Sequence, residues 1–134
     1  MVVKILSHSA KQNTKKAMKW FEQHEVPYEL YNLNERKLTY EVFLHLLHHC
    51  TPGKLEFLST KSVHGIQLAR HLDNLTIDEL FRVIVANPKV LTEPIMFDET
   101  RVLFKYQEIE MTQFLSRAQK KKQVEVVWRE IENR

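Results

Sequence analysis

The feature that most constrains the fold of this chain is a strand–helix–strand pattern near its start. The run VVKIL at residues 2–6 is short, β-branched and apolar, which is typical of a buried parallel strand. A helical pattern follows, with Asn13 or Thr14 suited to cap its start, and Pro27 ends it because the residue before a proline is disfavoured in the α conformation. YELYNL at residues 28–33 then alternates like a strand. These elements predict a right-handed βαβ unit.

Helical patterns fill the middle of the chain, from about residue 38 to residue 90. Thr39 is predicted to be an N-cap, and Thr76 with Glu79 has the spacing of a capping box. The first helical run breaks at CTPGK, residues 50–54. This region is therefore predicted to be a helical insertion within the α/β unit.

Two further strands and a helical tail complete the pattern. Apolar runs at residues 94–98 and 102–106 flank DETR and predict a hairpin, and Pro94 opens it. A helix is predicted from about Gln107, and a helical tail from about residue 117 to residue 134. The chain is thus predicted to be one α/β domain, residues 1–134, with a thioredoxin-like fold. Its mixed four-stranded sheet would carry the helical insertion between strands 2 and 3, and the third strand would begin where that fold keeps a cis proline.

Composition excludes several classes of protein. The 134 residues are 43% hydrophobic and 28% charged, which fits one globular domain. No apolar run approaches a membrane span, and a single cysteine cannot form an internal disulfide. We therefore expect a cytoplasmic protein without a membrane partner. The basic cluster at residues 117–122 is interpreted as a solvated helix face rather than an independent nucleic-acid site.

A histidine cluster at the end of the first inserted helix suggests a metal site. His45 and His49 stand four residues apart, so one helix face could present both to a cation. No third ligand follows at a recognisable spacing, and a surface histidine patch is the favoured interpretation. Cys50 ends the same helix, where the helix dipole disfavours a thiolate nucleophile. We therefore predict no metal site and no cofactor.

Several segments follow one another in a recognisable order along the chain: KKAMKWFEQHEVPYELYNL, TPGK, FLSTKS, LTIDELFRVIVANPKVL, EPIMFDETRVLFKY and the helical run that ends in QFL. In this order they resemble the Spx/arsenate-reductase family of thioredoxin-like proteins, and its Spx-type transcriptional regulators in particular. The resemblance covers nearly the whole chain. It implies a bacterial protein of transcription regulation and stress response.

The chain departs from the reductase branch of this family at two places. The Cys-x-x-Cys redox switch of the family falls on residues 11–14, so that Lys11 and Thr14 replace both cysteines. Glu93, before Pro94, takes the place of an arginine that holds an oxyanion in the family, and a carboxylate would repel that anion. Both departures predict that the chain is not a reductase and not an enzyme.

The resemblance implies a docking surface for the C-terminal domain of the RNA polymerase α subunit. The glycine at this surface in Spx-type regulators corresponds to Gly53, where a turn without a side chain allows close approach. The alternative interpretation is that Gly53 only provides a positive-φ turn after Pro52. Lys61 corresponds to a basic residue of the family and retains its charge, and His49 lies beside the turn. We define residues 49–53 as the docking turn.

These expectations combine into one predicted function with two alternatives. The chain is predicted to be an Spx-like regulator that binds the polymerase α subunit without a disulfide switch, contacting DNA only within the polymerase complex. The alternatives are a degenerate arsenate-reductase-type oxidoreductase and an antagonist that occupies the α subunit without activating genes. The resemblance also implies that the C-terminal tail meets a ClpXP-type protease and its adaptor. An apolar stripe in this tail is predicted to pack on the domain, with a partner as the alternative, and it consists of Val124, Val127, Trp128 and Ile131.

Overall fold

The computed structural model describes residues 2–132, and its centre is a mixed four-stranded sheet. The strand order is β2-β1-β3-β4, in which β2 runs parallel to β1 while β3 and β4 are antiparallel to their neighbours. The strands are β1 (Val3–Ser7), β2 (Tyr28–Asn32), β3 (Ile95–Phe97) and β4 (Val102–Phe104). The predicted thioredoxin-like sheet, with its parallel pair and its terminal hairpin, is confirmed.

Most of the helices lie where the sequence periodicity predicted them. They are α1 (Gln12–Gln23), α2 (Tyr40–His48), α3 (Val63–Arg70), α4 (Ile77–Ala86) and α5 (Arg117–Glu132), with 3₁₀ turns at Leu72–Asn74, Pro88–Val90 and Glu110–Phe114. The Thr39 hydroxyl accepts the Val42 amide, and Thr76 forms the predicted capping box with Glu79. No helix within residues 2–132 is long and apolar enough to cross a bilayer.

Two local predictions were wrong. Helix α1 begins after Lys11, which gives no side-chain cap, and Thr14 lies inside the helix with a fully buried side chain. The helix predicted from Gln107 is only the short 3₁₀ turn, and the Ile109 side chain is 84% exposed. Met111 and Phe114 are the buried side chains of this turn. Their spacing of three residues fits the three residues per turn of a 3₁₀ helix.

The sheet separates two apolar cores because strand side chains alternate between its faces. Val3 and Ile5 of β1 pack with α1 on one face, whereas Leu6 packs with α2, α3 and α4 on the other. The side chains of β3 alternate between the two cores in the same way. The inserted helices therefore have a core of their own against one face of the sheet. The aromatic side chains predicted to be core are buried or partly buried in these clusters: Trp20, Phe21, Phe43, Phe81, Phe97 and Phe104.

Candidate functional site

The loop after β1 closes around the Glu93 carboxylate. The Ser7 hydroxyl donates to Glu93 Oε2 at 2.6 Å, and the backbone amides of His8 and Ser9 donate to the same oxygen at 3.1 and 3.3 Å. The Ser9 hydroxyl donates to the other oxygen, Oε1. Four hydrogen-bond donors from three consecutive residues therefore bind one carboxylate that is more than 80 residues away along the chain.

The conformation of this loop is fixed by further contacts. Ala10 adopts a positive φ of 48°, and its amide donates to the Ser7 hydroxyl at 3.0 Å. The His8 Nε2 atom lies 3.1 Å from the Leu91 carbonyl oxygen. The Glu93-Pro94 peptide bond, which leads into β3, is cis. The loop is thus built to hold an anion, and the anion it holds is the protein's own side chain.

The hydrogen bonds to Glu93 change its ionisation. Its partial burial alone would raise the pKa, but hydrogen bonds from the Ser7 and Ser9 hydroxyls, electrostatic attraction by His8 and a hydrogen bond from the His8 backbone amide outweigh that effect. They lower the pKa of Glu93 from its ordinary value of 4.5 to about 2. The side chain is therefore a carboxylate throughout the physiological pH range.

The lowered pKa predicts an acid-dependent contribution of Glu93 to stability. Because the folded state binds the proton more weakly than the unfolded state, this stabilisation is complete above pH 4.5 and is lost as the pH falls towards 2. Partial exposure of the side chain limits the contribution to about 1–2 kcal/mol. Glu93→Gln should therefore be less stable than the parent at pH 7, with the difference vanishing near pH 2 in denaturant titrations. A Glu99→Gln control at an exposed site should show no such convergence, and a constant difference for Glu93→Gln would contradict the prediction.

Beside Glu93 lies a cavity of about 230 Å³, which we name the lysine cavity. Its lining includes four lysines from four separate segments: Lys11, Lys61, Lys89 and Lys105. Among the described residues the only salt bridge joins Arg36 to Glu29, so none of these ammonium groups is paired with a carboxylate in that way. The single carboxylate in the lining is Glu93, which the loop already engages. The cavity has the charge to attract an anion, but it offers no thiol to attack one.

The two positions at which the resemblance places the redox cysteines of the family do not face the same space. Lys11 is exposed and lines the lysine cavity, whereas Thr14 is fully buried on the inner face of α1. The Thr14 hydroxyl is the one buried side-chain oxygen or nitrogen in the described part of the chain without a hydrogen-bond partner. An ammonium group and an isolated hydroxyl cannot reproduce dithiol chemistry at this loop.

The chain's one cysteine lies elsewhere, at the end of α2. Cys50 is partly buried, and its thiol donates to the Leu46 carbonyl oxygen at 3.4 Å. Burial raises the pKa of the Cys50 thiol, although backbone hydrogen bonds oppose this effect. Cys50 does not line the lysine cavity. The reactive thiolate form is therefore disfavoured, and the thiol has no anion site beside it.

Apart from the partly buried Cys50, the docking turn is exposed. Gly53 has a φ of +80°, and a Cβ atom built on it would meet no atom within 4 Å. His49 and Pro52 are exposed beside it. The positive φ explains the glycine as a turn residue, and the empty space around it fits close approach by another molecule. The local geometry is compatible with both interpretations of Gly53.

Two of the four predicted docking residues line neighbouring cavities, whereas Pro52 and Gly53 line neither of them. His49 lines a groove of about 490 Å³ along β4, whereas Lys61 lines the lysine cavity. Thr60 and Lys105 line both cavities and so connect them. Sequence reasoning missed Lys89 and Lys105 as site residues, because single lysines after Pro88 and just after β4 look like ordinary surface residues. Their place in the lining of the lysine cavity is visible only in the folded chain, where four separate segments come together.

The ring nitrogens of His45 and His49 lie against backbone carbonyl oxygens. His45 Nε2 lies 2.8 Å from the Asp98 carbonyl oxygen. His49 Nδ1 and Nε2 lie 2.9 and 3.1 Å from the carbonyl oxygens of His45 and Thr100. Within residues 2–132, no group of three or more His, Cys, Asp or Glu side chains is placed to hold a metal ion. These contacts join the end of α2 to the β3–β4 turn.

Comparison with models of known protein families identifies the family of the chain. A sequence model of the ArsC family matches residues 7–114, from the end of β1 to the 3₁₀ turn before α5. The chain belongs to the ArsC family. The match includes the loop around Glu93, the docking turn and all residues that line the lysine cavity.

Within this family, several relatives are transcription regulators by name. The global transcriptional regulator Spx of Listeria innocua is 35% identical over 103 residues, which cover 77% of this chain and 79% of that protein. The global transcriptional regulator Spx 2 of Oceanobacillus iheyensis is 33% identical over 117 residues, covering 87% and 86%. The resemblance to Spx-type proteins is confirmed.

Solved structures confirm the fold. An ArsC-family related protein from Bacteroides fragilis superimposes with a TM-score of 0.69 at 22% identity, covering 86% of this chain and all of that one. An arsenate reductase from Vibrio cholerae gives a TM-score of 0.64 at 16% identity, covering 85% and 95%. One fold thus serves proteins with different names, and function depends on the site.

Proposed function

We propose that this ArsC-family protein is a cytoplasmic Spx-like transcription regulator that binds the C-terminal domain of the RNA polymerase α subunit. The observation that carries the proposal is the loop after β1. Its donors bind the internal Glu93 carboxylate, and lysine and threonine stand where the family has two cysteines. Regulators named Spx at 33–35% identity support the same assignment.

The proposed contact surface is the docking turn together with Lys61. Gly53 and Pro52 form an exposed edge that lets another backbone approach closely, and His49 is held beside them by the carbonyl oxygens of His45 and Thr100. Lys61, on the connected lysine cavity, supplies a positive charge that would attract acidic groups of the partner. Promoter DNA would be contacted only within the polymerase complex.

The direct test is a binding titration with the purified C-terminal domain of the polymerase α subunit, called the α-subunit domain below. We expect saturable one-to-one binding in calorimetry, with the N-terminal domain of the same polypeptide as a control that does not bind. Absence of binding at concentrations well above those in a cell would remove the proposed function. Transcription assays with the whole polymerase would then separate an activator from an antagonist.

We predict that binding does not depend on redox state. The loop lacks both cysteines, and the partly buried Cys50 thiol has a raised pKa. The affinity for the α-subunit domain should therefore be equal, within about twofold, in peroxide and in dithiothreitol; a change of that size corresponds to less than about 0.5 kcal/mol. A larger difference that disappears in Cys50→Ser would identify Cys50 as a sensor through sulfenic acid or an intermolecular disulfide.

An arsenate-reductase-type oxidoreductase is the second candidate, and the lysine cavity is the observation that favours it. A cationic cavity can attract an oxyanion, but reduction requires a thiolate that attacks it. We predict no arsenate turnover above the no-enzyme control with glutathione, glutaredoxin or thioredoxin as reductant. Turnover that is lost in Cys50→Ser would contradict this prediction.

A ClpXP-type protease and its adaptor are proposed partners of the C-terminal tail. The described part of that tail is helix α5, whose apolar side chains Val124, Trp128 and Ile131 are accessible. Residues 133 and 134 and the Val127 side chain lie outside the described part of the chain. Truncation after Ser116 should slow degradation by such a protease without changing the affinity for the α-subunit domain.

A further inference from the structure

Helix α5 presents an apolar face that the rest of the described chain, residues 2–132, does not cover. Val124, Trp128 and Ile131 are 55%, 60% and 51% exposed. Their spacing of four and three residues places them on one face of the helix. The prediction that this stripe packs on the domain is therefore wrong for its three described side chains. Val127 belongs to the same predicted stripe, but its side chain is outside the described set.

The start of the same helix is attached to the domain. The Gln119 side-chain amide donates to the His24 carbonyl oxygen at 2.9 Å. Ser116 and Gln119 also form a reciprocal pair, in which each backbone amide donates to the other's side chain. These bonds anchor the first turn near the end of α1 and leave the apolar face of the later turns accessible.

The charges of α5 are segregated along its length. Its first six residues include four cations and no acid, and the cations are Arg117, Lys120, Lys121 and Lys122. The last eight residues carry Glu125, Glu130 and Glu132 against Arg129 alone. This order opposes the helix macrodipole, which favours acids at the N-terminus and bases at the C-terminus. An isolated α5 is therefore electrostatically disfavoured.

We propose that α5 is a self-association helix, which pairs antiparallel with α5 of a second copy of this chain. Antiparallel pairing sets the basic half of each helix against the acidic half of the other, and it opposes the two macrodipoles. Such a pair is two-fold symmetric and isologous, so the same residues serve both copies and the assembly closes as a dimer.

One register of the two helices brings together both an apolar pair and two pairs of opposite charge. When Val124 lies opposite Trp128 of the other helix, Lys121 comes within one residue of facing Glu132. In the same register Lys120 comes within two residues of facing Glu130. Lys121 and Glu132 lie on one flank of the apolar stripe, and Lys120 and Glu130 lie on the other, as the rotation of about 100° per residue requires. Apolar contact in the centre and ion pairs on both flanks arise from a single alignment.

The size of the helix limits the strength of this dimer. Sixteen residues span roughly 24 Å, so the contact is small and association should be reversible and concentration-dependent. Sedimentation equilibrium over a hundredfold concentration range should show a monomer–dimer equilibrium in the parent protein. The emission of exposed Trp128 should shift to shorter wavelength as dimer forms, whereas that of buried Trp20 should not.

Charge-reversal variants test the antiparallel arrangement itself. Lys120→Glu with Lys121→Glu makes all four flanking positions of α5 acidic (residues 120, 121, 130 and 132), and Glu130→Lys with Glu132→Lys makes all four basic. Each double variant alone should dimerise at least tenfold more weakly than the parent. An equimolar mixture of the two should restore association as a heterodimer, because the acidic flanking positions of one helix then meet the basic flanking positions of the other. Lys15→Glu with Lys16→Glu makes the same charge change on exposed positions of α1 and should leave dimerisation unchanged.

Several results would overturn the proposal. A parent protein that stays monomeric over the whole range would do so, as would a dimer that none of the α5 variants changes. Weakening by both double variants without recovery in the mixture would exclude the antiparallel pair. Circular dichroism of each variant must show that α5 remains helical, and Trp128→Ala, which keeps helix propensity, provides a second variant that should weaken the dimer. None of these outcomes depends on polymerase binding.

Discussion

Gly65→Ala is expected to lower the free energy of unfolding by at least about 2 kcal/mol, although alanine is the better helix former. A Cβ atom on Gly65 would lie 2.3 Å from the Ser59 carbonyl oxygen and 3.1 Å from the carbonyl carbon. Helix propensity favours alanine by roughly 1 kcal/mol. The clash with backbone outweighs this gain, because a separation of 2.3 Å requires one of the two segments to move.

Neither segment can move without losing other contacts. The Ser59 amide donates to the Val90 carbonyl oxygen at 2.8 Å, and Leu58 pairs with Leu91 as an isolated β-bridge. On the other side, the Gly65 amide donates to the Ser62 hydroxyl that caps α3. Displacing α3 would therefore disturb its cap, the bridge, and the placement of Lys61 at the lysine cavity.

Denaturant titration of Gly65→Ala and of His64→Ala measures this effect against a matched control. His64 is the preceding residue of α3, and its side chain is exposed. Its replacement should change stability by less than about 0.5 kcal/mol. Equal stability of Gly65→Ala and the parent would mean that the segment carrying Ser59 yields at little cost. Weakened binding of the α-subunit domain by folded Gly65→Ala would further link α3 to the Lys61 contact.

The sequence predicted the fold well because local patterns determine its main elements. The strands alternate or are β-branched, and the caps at Thr39 and Thr76 lie within three residues of the amides they bind. The end of the chain was predicted less well. The run after residue 107 resembles a helix in periodicity, but only Met111 and Phe114 find buried positions there. Burial of a face depends on what it meets, which periodicity alone does not contain.

The candidate site was predictable only in part, for a related reason. The absence of thiols at Lys11 and Thr14 is a property of single positions, so the sequence suffices to exclude dithiol chemistry there. The sequence also indicated that Glu93 would repel an oxyanion. It did not indicate that the loop after β1 binds the Glu93 carboxylate, because that contact needs Ser7 and Ser9, which are more than 80 residues away along the chain.

Gly53→Arg is expected to weaken binding of the α-subunit domain by roughly 30-fold or more while leaving the protein folded. An interface contact near the centre commonly contributes about 2 kcal/mol or more, which corresponds to that factor. The arginine side chain would start from an open position, since no atom beyond Gly53 and its two chain neighbours lies within 4 Å of the Cβ position. The free energy of unfolding of Gly53→Arg should fall by only about 1 kcal/mol, which is the usual cost of a side chain at positive φ.

Gly53→Ala separates the two roles of this glycine, because alanine has the same backbone cost as arginine but adds only a methyl group. If Gly53 serves only its turn at φ +80°, both variants should be destabilised by about 1 kcal/mol and both should bind normally once folded. If a partner approaches the turn closely, binding should decrease from the parent to alanine and again to arginine, at equal stability of the two variants. Calorimetric titration, combined with denaturant titration of each protein, measures the two quantities separately. Full affinity in folded Gly53→Arg would exclude the docking turn from the interface, and the proposed polymerase contact would then lose the residue on which it most depends.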